Sequence, residues 1–129
     1  MARSKILLAL FVCVAVPAGA TKFDVSIVGT TFNPALRTIA EGDTVRWVNN
    51  SGLFHTSTSG NPCTADGLWD SPTLGPGDEF SFVFDNPGTF PYFCRPHCFS
   101  GMTGTITVNP AMPVEPSTWG RIKALYDLR

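Results

Sequence analysis

Three kinds of metal-binding side chain lie close together in the segment YFCRPHCFSGM, residues 92–102. Cys94, His97 and Met102 follow one another at intervals of three and five residues, and His55 is the chain's only other histidine. One thiolate, two imidazoles and a weak thioether are the ligand set of the trigonal sites that hold electron-transfer copper. The residue types and their spacing therefore predict one copper ion bound by His55, Cys94, His97 and Met102.

Zinc is the alternative ion, because Cys94, His97, Cys98 and His55 would make a closed structural site. Adjacent His97 and Cys98 are poorly placed to reach one ion together, and this set leaves Met102 without a role. A thiol–disulfide catalyst would need two residues between its cysteines, whereas three separate Cys94 from Cys98. A catalytic copper enzyme or a hydrolase would need further histidines, and the sequence has none. We therefore expect that the protein is not an enzyme.

The segments around these residues alternate between apolar and polar side chains, as half-buried antiparallel strands do. The alternating segments are FDVSI, TVRWV, EFSFVFD, GTFPYFC and MTGTITV. Short strands at this spacing, bounded by Gly, Pro, Asn and Asp, predict an all-β protein and specifically a β-sandwich. The stretch 56–77 is rich in Ser, Thr, Gly and Pro, and we expect it to be irregular except near LWDS.

The phase of the alternation predicts which way the two sulfur ligands point. Cys94 is in phase with Phe90 and Tyr92, so its sulfur should face the interior. Met102 is in phase with the apolar residues that follow it in MTGTITV and should face inward too. Residues 95–101 then form the loop that joins two neighbouring strands at one end of the sandwich.

Residues 1–20 have the pattern of a cleavable signal peptide. Arg3 and Lys5 precede a short apolar run, and small residues at Ala18 and Ala20 precede a cut before Thr21. The apolar run is about half the ~20 residues that a membrane span needs. We therefore expect a periplasmic or secreted protein with no stable membrane insertion.

Export to an oxidising compartment allows disulfides to persist. After removal of the signal peptide the chain keeps Cys63, Cys94 and Cys98. With Cys94 as a ligand, Cys63 and Cys98 remain and can pair. The alternative is that Cys98 stays a free buried thiol.

The charge of the chain argues against nucleic acid as a partner. The sequence has nine basic and ten acidic residues, and losing Arg3 and Lys5 leaves seven basic against ten acidic, a net charge of −3. No run of basic residues exists, whereas nucleic-acid-binding surfaces are strongly basic. We expect a monomer that meets redox-partner proteins only transiently.

The sequence resembles the cupredoxins, in particular the small single-domain blue copper proteins of the plastocyanin and amicyanin type. The resemblance runs from about Phe23 to Asn109. Its landmarks, besides His55, are FNP (32–34), IAEGDTVRWVN (39–49), LWDSPTLGPGDEFSFVF (68–84), GTFPYFCRPH (88–97) and GMTGTITV (101–108).

This resemblance implies an eight-stranded Greek-key β-sandwich with one type 1 copper and a role in carrying single electrons. It assigns the ligands to His55, Cys94, His97 and Met102, as the spacing does. Many relatives have an asparagine that braces the ligand loop after the first histidine, where this chain has Thr56. Cys98 directly follows the second histidine, and in this respect the chain is similar to the phytocyanins. In those proteins the corresponding cysteine forms a disulfide near the copper. That similarity favours the Cys63–Cys98 pair.

The resemblance also implies that electrons pass through the edge of His97, where redox partners dock. Pro96, Phe99 and Gly101 would then flank this histidine, with Pro34 alongside. The alternative for Phe99 is that it folds inward over the disulfide. Two other functions stay open for the site, namely copper storage or delivery and a structural copper site.

Three regions are expected along the chain: the signal peptide (1–20), the cupredoxin-like domain (21–109) and a C-terminal region (110–129). The last begins with the stiff, Pro-rich PAMPVEP. A short helix beginning at Ser117 is expected after it. Packing on the sandwich, binding a partner and sorting are open roles for this region.

Overall fold

The structure, a computed structural model, describes residues 19–112, of which Ala20–Met112 form a compact unit. The predicted signal peptide up to residue 18 and the predicted helix beginning at Ser117 lie outside the described residues. Within residues 19–112 no helix is long and apolar enough to cross a membrane. The elements are β1 Lys22–Val28, β2 Thr31–Asn33, β3 Leu36–Ala40, β4 Thr44–Asn49, β5 Thr58–Asn61, β6 Thr64–Asp70, β7 Glu79–Val83, β8 Gly88–Phe93, a 3₁₀ turn at Cys98–Ser100 and β9 Thr103–Asn109.

The strands form two sheets, which confirms the predicted Greek-key β-sandwich. One sheet has four strands in the order β2-β1-β4-β7, and the other has five in the order β3-β9-β8-β5-β6. The β1–β4 and β3–β9 pairs are parallel, and the other pairs are antiparallel. The described residues contain nine strands where the resemblance implied eight. The chain leaves one sheet after β2 and joins the other at β3, with Pro34 and Ala35 between them.

Large aromatic side chains from both sheets fill the space between them. Trp47 of β4 stacks on Trp69 of β6, with ring centroids 5.7 Å apart, and lies edge-on to Tyr92 of β8 at 5.4 Å. Gly104 of β9 lies against the Tyr92 ring, and a Cβ atom there would overlap that ring. The observed core therefore depends on aromatic side chains from β4, β6 and β8 and on one glycine opposite Tyr92.

The prediction for residues 56–77 was right near LWDS, where β6 ends, but wrong for β5 and for the first half of β6, which are also strands. Thr58 and Ser59 are buried although they are polar, so an alternation of apolar residues cannot reveal β5. Their hydroxyls are satisfied across the pair of strands, by Asp70 for Thr58 and by the Trp69 backbone for Ser59. Strand β6 forms the edge of its sheet and exposes most of its side chains. Polar strands of this kind are held by hydrogen bonds and neighbours rather than by apolar burial.

Candidate metal centre

The side chains of His55, Cys94 and His97 come together at one end of the sandwich. Cys94 Sγ lies 3.6 Å from His55 Nδ1 and 3.5 Å from His97 Nδ1. The three ligand atoms all lie within 4.8 Å of one another. His55 and Cys94 are fully buried, whereas His97 is partly exposed. The set therefore has a closed interior side and one histidine at the surface.

The loop between β8 and β9 positions Cys94, His97 and Met102 through its own backbone. The Cys94 N–H donates to the Met102 carbonyl at 3.1 Å, and the Met102 N–H donates to the His97 carbonyl at 3.3 Å. Gly101 has a φ of 83°, a left-handed conformation that glycine adopts without a Cβ penalty, and it ends the 3₁₀ turn. Met102 is buried in the core, as its phase in the strand predicted.

His55 comes from a separate part of the chain and is held on both its backbone and its side chain. Its backbone N–H and C=O exchange hydrogen bonds with Leu74, at 3.0 and 2.8 Å. Its Nε2 atom lies 2.8 Å from Ser51 Oγ, whose own hydrogen is donated to Asn49 Oδ1 at 2.8 Å. The Ser51 oxygen therefore accepts from His55 Nε2–H. This leaves the Nδ1 lone pair directed at Cys94.

The chemistry of these three donors fits a soft or borderline metal ion such as copper. The pKa of the Cys94 thiol is raised above its usual value, mainly because the thiol is buried. Burial also lowers the pKa of His55, and the nearby charge of His97 lowers it further. Two imidazoles around a buried sulfur are a donor arrangement that suits copper, because a bound cation compensates the thiolate charge.

Thr56 contacts Cys94 and the next residue of the loop. The Thr56 backbone N–H lies 3.5 Å from Cys94 Sγ, and the Thr56 hydroxyl accepts a hydrogen bond from the Arg95 N–H at 2.9 Å. A threonine thus makes the link between the two segments for which many relatives use an asparagine. No bonding role for Thr56 follows from the sequence, since only the fold brings residue 56 beside residue 95.

The structure contains a disulfide between Cys63 and Cys98, with Cα atoms 5.4 Å apart. Cys63 lies in the turn between β5 and β6, and Cys98 directly follows His97. The sulfur of Cys98 is therefore unavailable to a metal ion. This rules out the closed zinc set of Cys94, His97, Cys98 and His55, while Cys94 keeps a free thiol.

Several apolar side chains are exposed beside the ligand residues. Phe99 follows His97 by two residues and is 93% exposed, so it does not fold inward over the disulfide. Phe54 precedes His55 and is 63% exposed. Pro96 and Gly101 are exposed as well, and Pro34 is partly exposed.

Comparison with known proteins places the chain among copper-binding proteins. A family model for copper binding proteins of the plastocyanin/azurin family matches residues 19–109. A plastocyanin from Scenedesmus fuscus is 42% identical over 83 residues, which are 60% of this chain and 85% of that protein. A chloroplastic plastocyanin from Tetradesmus obliquus is 35% identical over 83 residues, and the match spans only 57% of its length.

Solved structures agree with this similarity. A purple cupredoxin from Nitrosopumilus maritimus superimposes with a TM-score of 0.62 at 27% identity, over 67% of this chain and 98% of that one. A reduced amicyanin variant superimposes with a TM-score of 0.60 at 25% identity, over 74% of this chain and 87% of that one. The chain therefore belongs to the plastocyanin/azurin family of copper-binding proteins, and its His55–Cys94–His97 site is capable of binding copper.

Proposed function

We propose that this protein is an exported one-electron carrier in which His55, Cys94, His97 and Met102 hold a single type 1 copper ion. The convergence of Cys94 Sγ with two imidazole nitrogens at 3.5 and 3.6 Å is the observation that supports it most. When bound, copper supplies the one-electron couple between its Cu(I) and Cu(II) states. The family and the similarity to plastocyanins support the same function.

The residues contribute by staying in place and keeping water away. The thiolate and the thioether favour Cu(I), while imidazole accepts both states. Cys94 is tied to Met102 and to Thr56 by hydrogen bonds, and His55 is tied to Ser51 and Leu74. Ligands held in this way rearrange little when charge changes, so electron exchange is fast.

Redox partners are proposed to dock at the surface around His97. This histidine is the partly exposed member of the three donors, and exposed Phe99, Pro96 and Gly101 lie close to it in sequence. Apolar residues around a redox centre suit small contacts that form and separate quickly. The edge of His97 would then be the route for the electron.

Electron carriage is favoured over catalysis and over copper delivery. Both histidines of the sequence belong to the one site, so none remains for a second centre or a base. Delivery proteins need accessible metal, whereas His55 and Cys94 are fully buried. We therefore propose a protein that is not an enzyme and that acts as a monomer.

Export is proposed from the N-terminal pattern at residues 1–20, with the functional domain at 21–109 and a separate C-terminal region at 110–129. The measurement for this part is the N-terminal sequence of the protein recovered from its native compartment. A first residue of Thr21 supports export, and retention of residues 1–20 contradicts it.

The optical and electron paramagnetic resonance spectra of the purified protein with added Cu(II) test the site. An intense thiolate-to-copper charge-transfer band is expected, and the Cys94→Ser variant should lose it while keeping its β-sheet circular dichroism. Ser100→Ala, a change at an exposed residue of the same loop, is the matched control and should keep the band. A pale complex in the unsubstituted protein, or a full band in Cys94→Ser, would contradict the proposal.

A further inference from the structure

Four residues outside the donor set form a closed ring of hydrogen bonds beside Cys94, through three side chains and both the backbone N–H and the side chain of Arg95. The Arg95 N–H donates to Thr56 Oγ1 at 2.9 Å, and Thr56 Oγ1 lies 3.0 Å from Thr58 Oγ1. Thr58 Oγ1 donates to Asp70 Oδ1 at 2.8 Å. The Arg95 guanidinium closes the ring on Asp70, from Nε to Oδ1 at 3.1 Å and from Nη2 to Oδ2 at 2.6 Å.

The ring has two arms of hydrogen bonds, and both run from N–H donors of Arg95 to the Asp70 carboxylate. An ionised carboxylate only accepts hydrogen bonds, so the Thr58 hydroxyl must donate its single hydrogen to Asp70. The Thr56 hydroxyl must then donate to Thr58, and its lone pairs remain free for the Arg95 N–H. Aligned bonds of this kind strengthen one another. Asp70 therefore determines the orientation of both hydroxyls.

Two residues of the ring are next to Cys94. The Thr56 backbone N–H lies 3.5 Å from Cys94 Sγ, and Arg95 directly follows Cys94 in the chain. Thr56 and Thr58 are buried, so their hydroxyls have few partners besides those in the ring. Arg95 and Asp70 are each about half exposed, and exposed ion pairs add little to stability. The Arg95–Asp70 ion pair is therefore expected to position its neighbours rather than to add much to the stability of the fold.

We propose that Asp70 is a positioning residue that, through Thr58, Thr56 and Arg95, holds the Thr56 N–H against the sulfur of Cys94. Asp70 lies at the end of the edge strand β6 and does not belong to the donor set. It acts on the sulfur only through the ring. A hydrogen bond to a ligand sulfur tunes the electronic structure of a copper–thiolate bond, so this inference rests in part on the proposed function.

The test compares two ways of opening the ring with one matched control in the full-length protein. Asp70→Ala removes the carboxylate, and Thr58→Val removes the hydroxyl between Asp70 and Thr56 but leaves the ion pair. Thr58→Ser keeps the hydroxyl and should behave as the unsubstituted protein does. Asp24→Ala is the control, because Asp24 makes the same two-bond ion pair with Arg46, at 2.8 and 2.6 Å, between β1 and β4.

Amide hydrogen exchange in the metal-free protein is the first measurement, read by nuclear magnetic resonance at Thr56 and Arg95. The rates are divided by the rate of the buried Ile106 amide, which removes any change in global stability. Asp70→Ala and Thr58→Val should raise both ratios about tenfold, the factor that corresponds to losing one hydrogen bond of ordinary strength. Asp24→Ala and Thr58→Ser should leave them within about twofold. Unchanged ratios in Asp70→Ala and Thr58→Val, or an equal rise in Asp24→Ala, would overturn the proposal.

The charge-transfer band after addition of Cu(II) is the second measurement. The band should move in Asp70→Ala and in Thr58→Val by more than the spread between preparations, and Thr58→Ser should restore its position. A band that stays in place in both ring-opening variants would overturn the link to the sulfur. A protein without any such band would contradict the proposed function, while the exchange rates would still decide whether Asp70 holds the ring.

Discussion

The Ser51 hydroxyl oxygen accepts a hydrogen bond from His55 Nε2 at 2.8 Å, on the side of the imidazole ring away from Cys94. Ser51 is itself held by Asn49, whose amide group donates to the Leu53 and Leu74 carbonyls. The position of His55 Nδ1 therefore depends on a short chain of polar side chains that ends in the backbone. Histidine ligands in metal sites are generally oriented in this way.

Replacing Ser51 with alanine should weaken metal binding without unfolding the protein. The variant removes the Ser51 oxygen that lies 2.8 Å from His55 Nε2, so the ring is held less firmly. Such losses typically cost 10–100-fold in affinity, and we expect about tenfold. A competition titration with a chelator of known affinity measures it. Ser100→Ala should match the unsubstituted protein. Equal affinities in Ser51→Ala and Ser100→Ala would show that Ser51 does not orient the ligand.

Substitution of Met102 should change the reduction potential more than the amount of copper retained, because an axial thioether bond is long and weak. Met102→Leu removes a donor and should raise the potential, while Met102→Gln adds a harder donor and should lower it. Redox titration of the charge-transfer band gives both values. Met112→Leu is the control, since Met112 is 89% exposed. The same reduction potential in both Met102 variants would show that Met102 is not a ligand of the copper.

Loss of the Cys63–Cys98 disulfide should destabilise the fold by about 2–4 kcal/mol, since the bond closes a large loop in the unfolded chain. The two cysteines are 35 positions apart in the sequence. Guanidinium denaturation of the Cys63→Ser, Cys98→Ser double variant measures the difference. Cys94 remains as the thiol of the site, so the copper band should survive at low temperature. An unchanged denaturation midpoint would indicate that the disulfide contributes little to stability.

Replacing Phe99 with lysine should slow electron transfer to a physiological partner while leaving the copper spectrum nearly unchanged. A charge placed in the contact must lose water when the partner docks, and that desolvation is costly. Stopped-flow mixing with the partner measures the rate. Val83→Lys, a change at a half-exposed apolar residue on β7, controls for the added charge. A wild-type rate in Phe99→Lys would place docking elsewhere.

The burial of Cys94 and Met102 could be predicted from sequence because phase is a local property. Cys94 directly follows β8 and Met102 directly precedes β9, so the direction of each side chain follows from residues two and four positions away. His55 could be singled out because it is the only histidine in the sequence besides His97. For the disulfide, elimination left Cys63 and Cys98 as a possible pair, and the similarity to the phytocyanins favoured that pair over a free Cys98.

The parts that could not be predicted depend on polar residues brought together by the fold. Strand β5 buries Thr58 and Ser59, which look like loop residues when only apolar periodicity is considered. Thr56, Asp70 and Arg95 are far apart in sequence and follow no common pattern, so their hydrogen bonds appear only when β5, β6 and the ligand loop are in place. Such contacts are determined by tertiary structure and not by local propensity.

The hydrogen bond between Thr21, just before β1, and Asp43 would change if the chain were cleaved before Thr21. The Thr21 N–H donates to Asp43 Oδ1 at 2.8 Å, and the Thr21 carbonyl accepts from the Thr44 N–H. Cleavage before Thr21 would turn this neutral amide into a positively charged amino group facing a buried carboxylate. Charge-assisted hydrogen bonds are roughly twice as strong as neutral ones. The processed chain would therefore hold its first strand more tightly than the precursor, so maturation itself would favour the folded state.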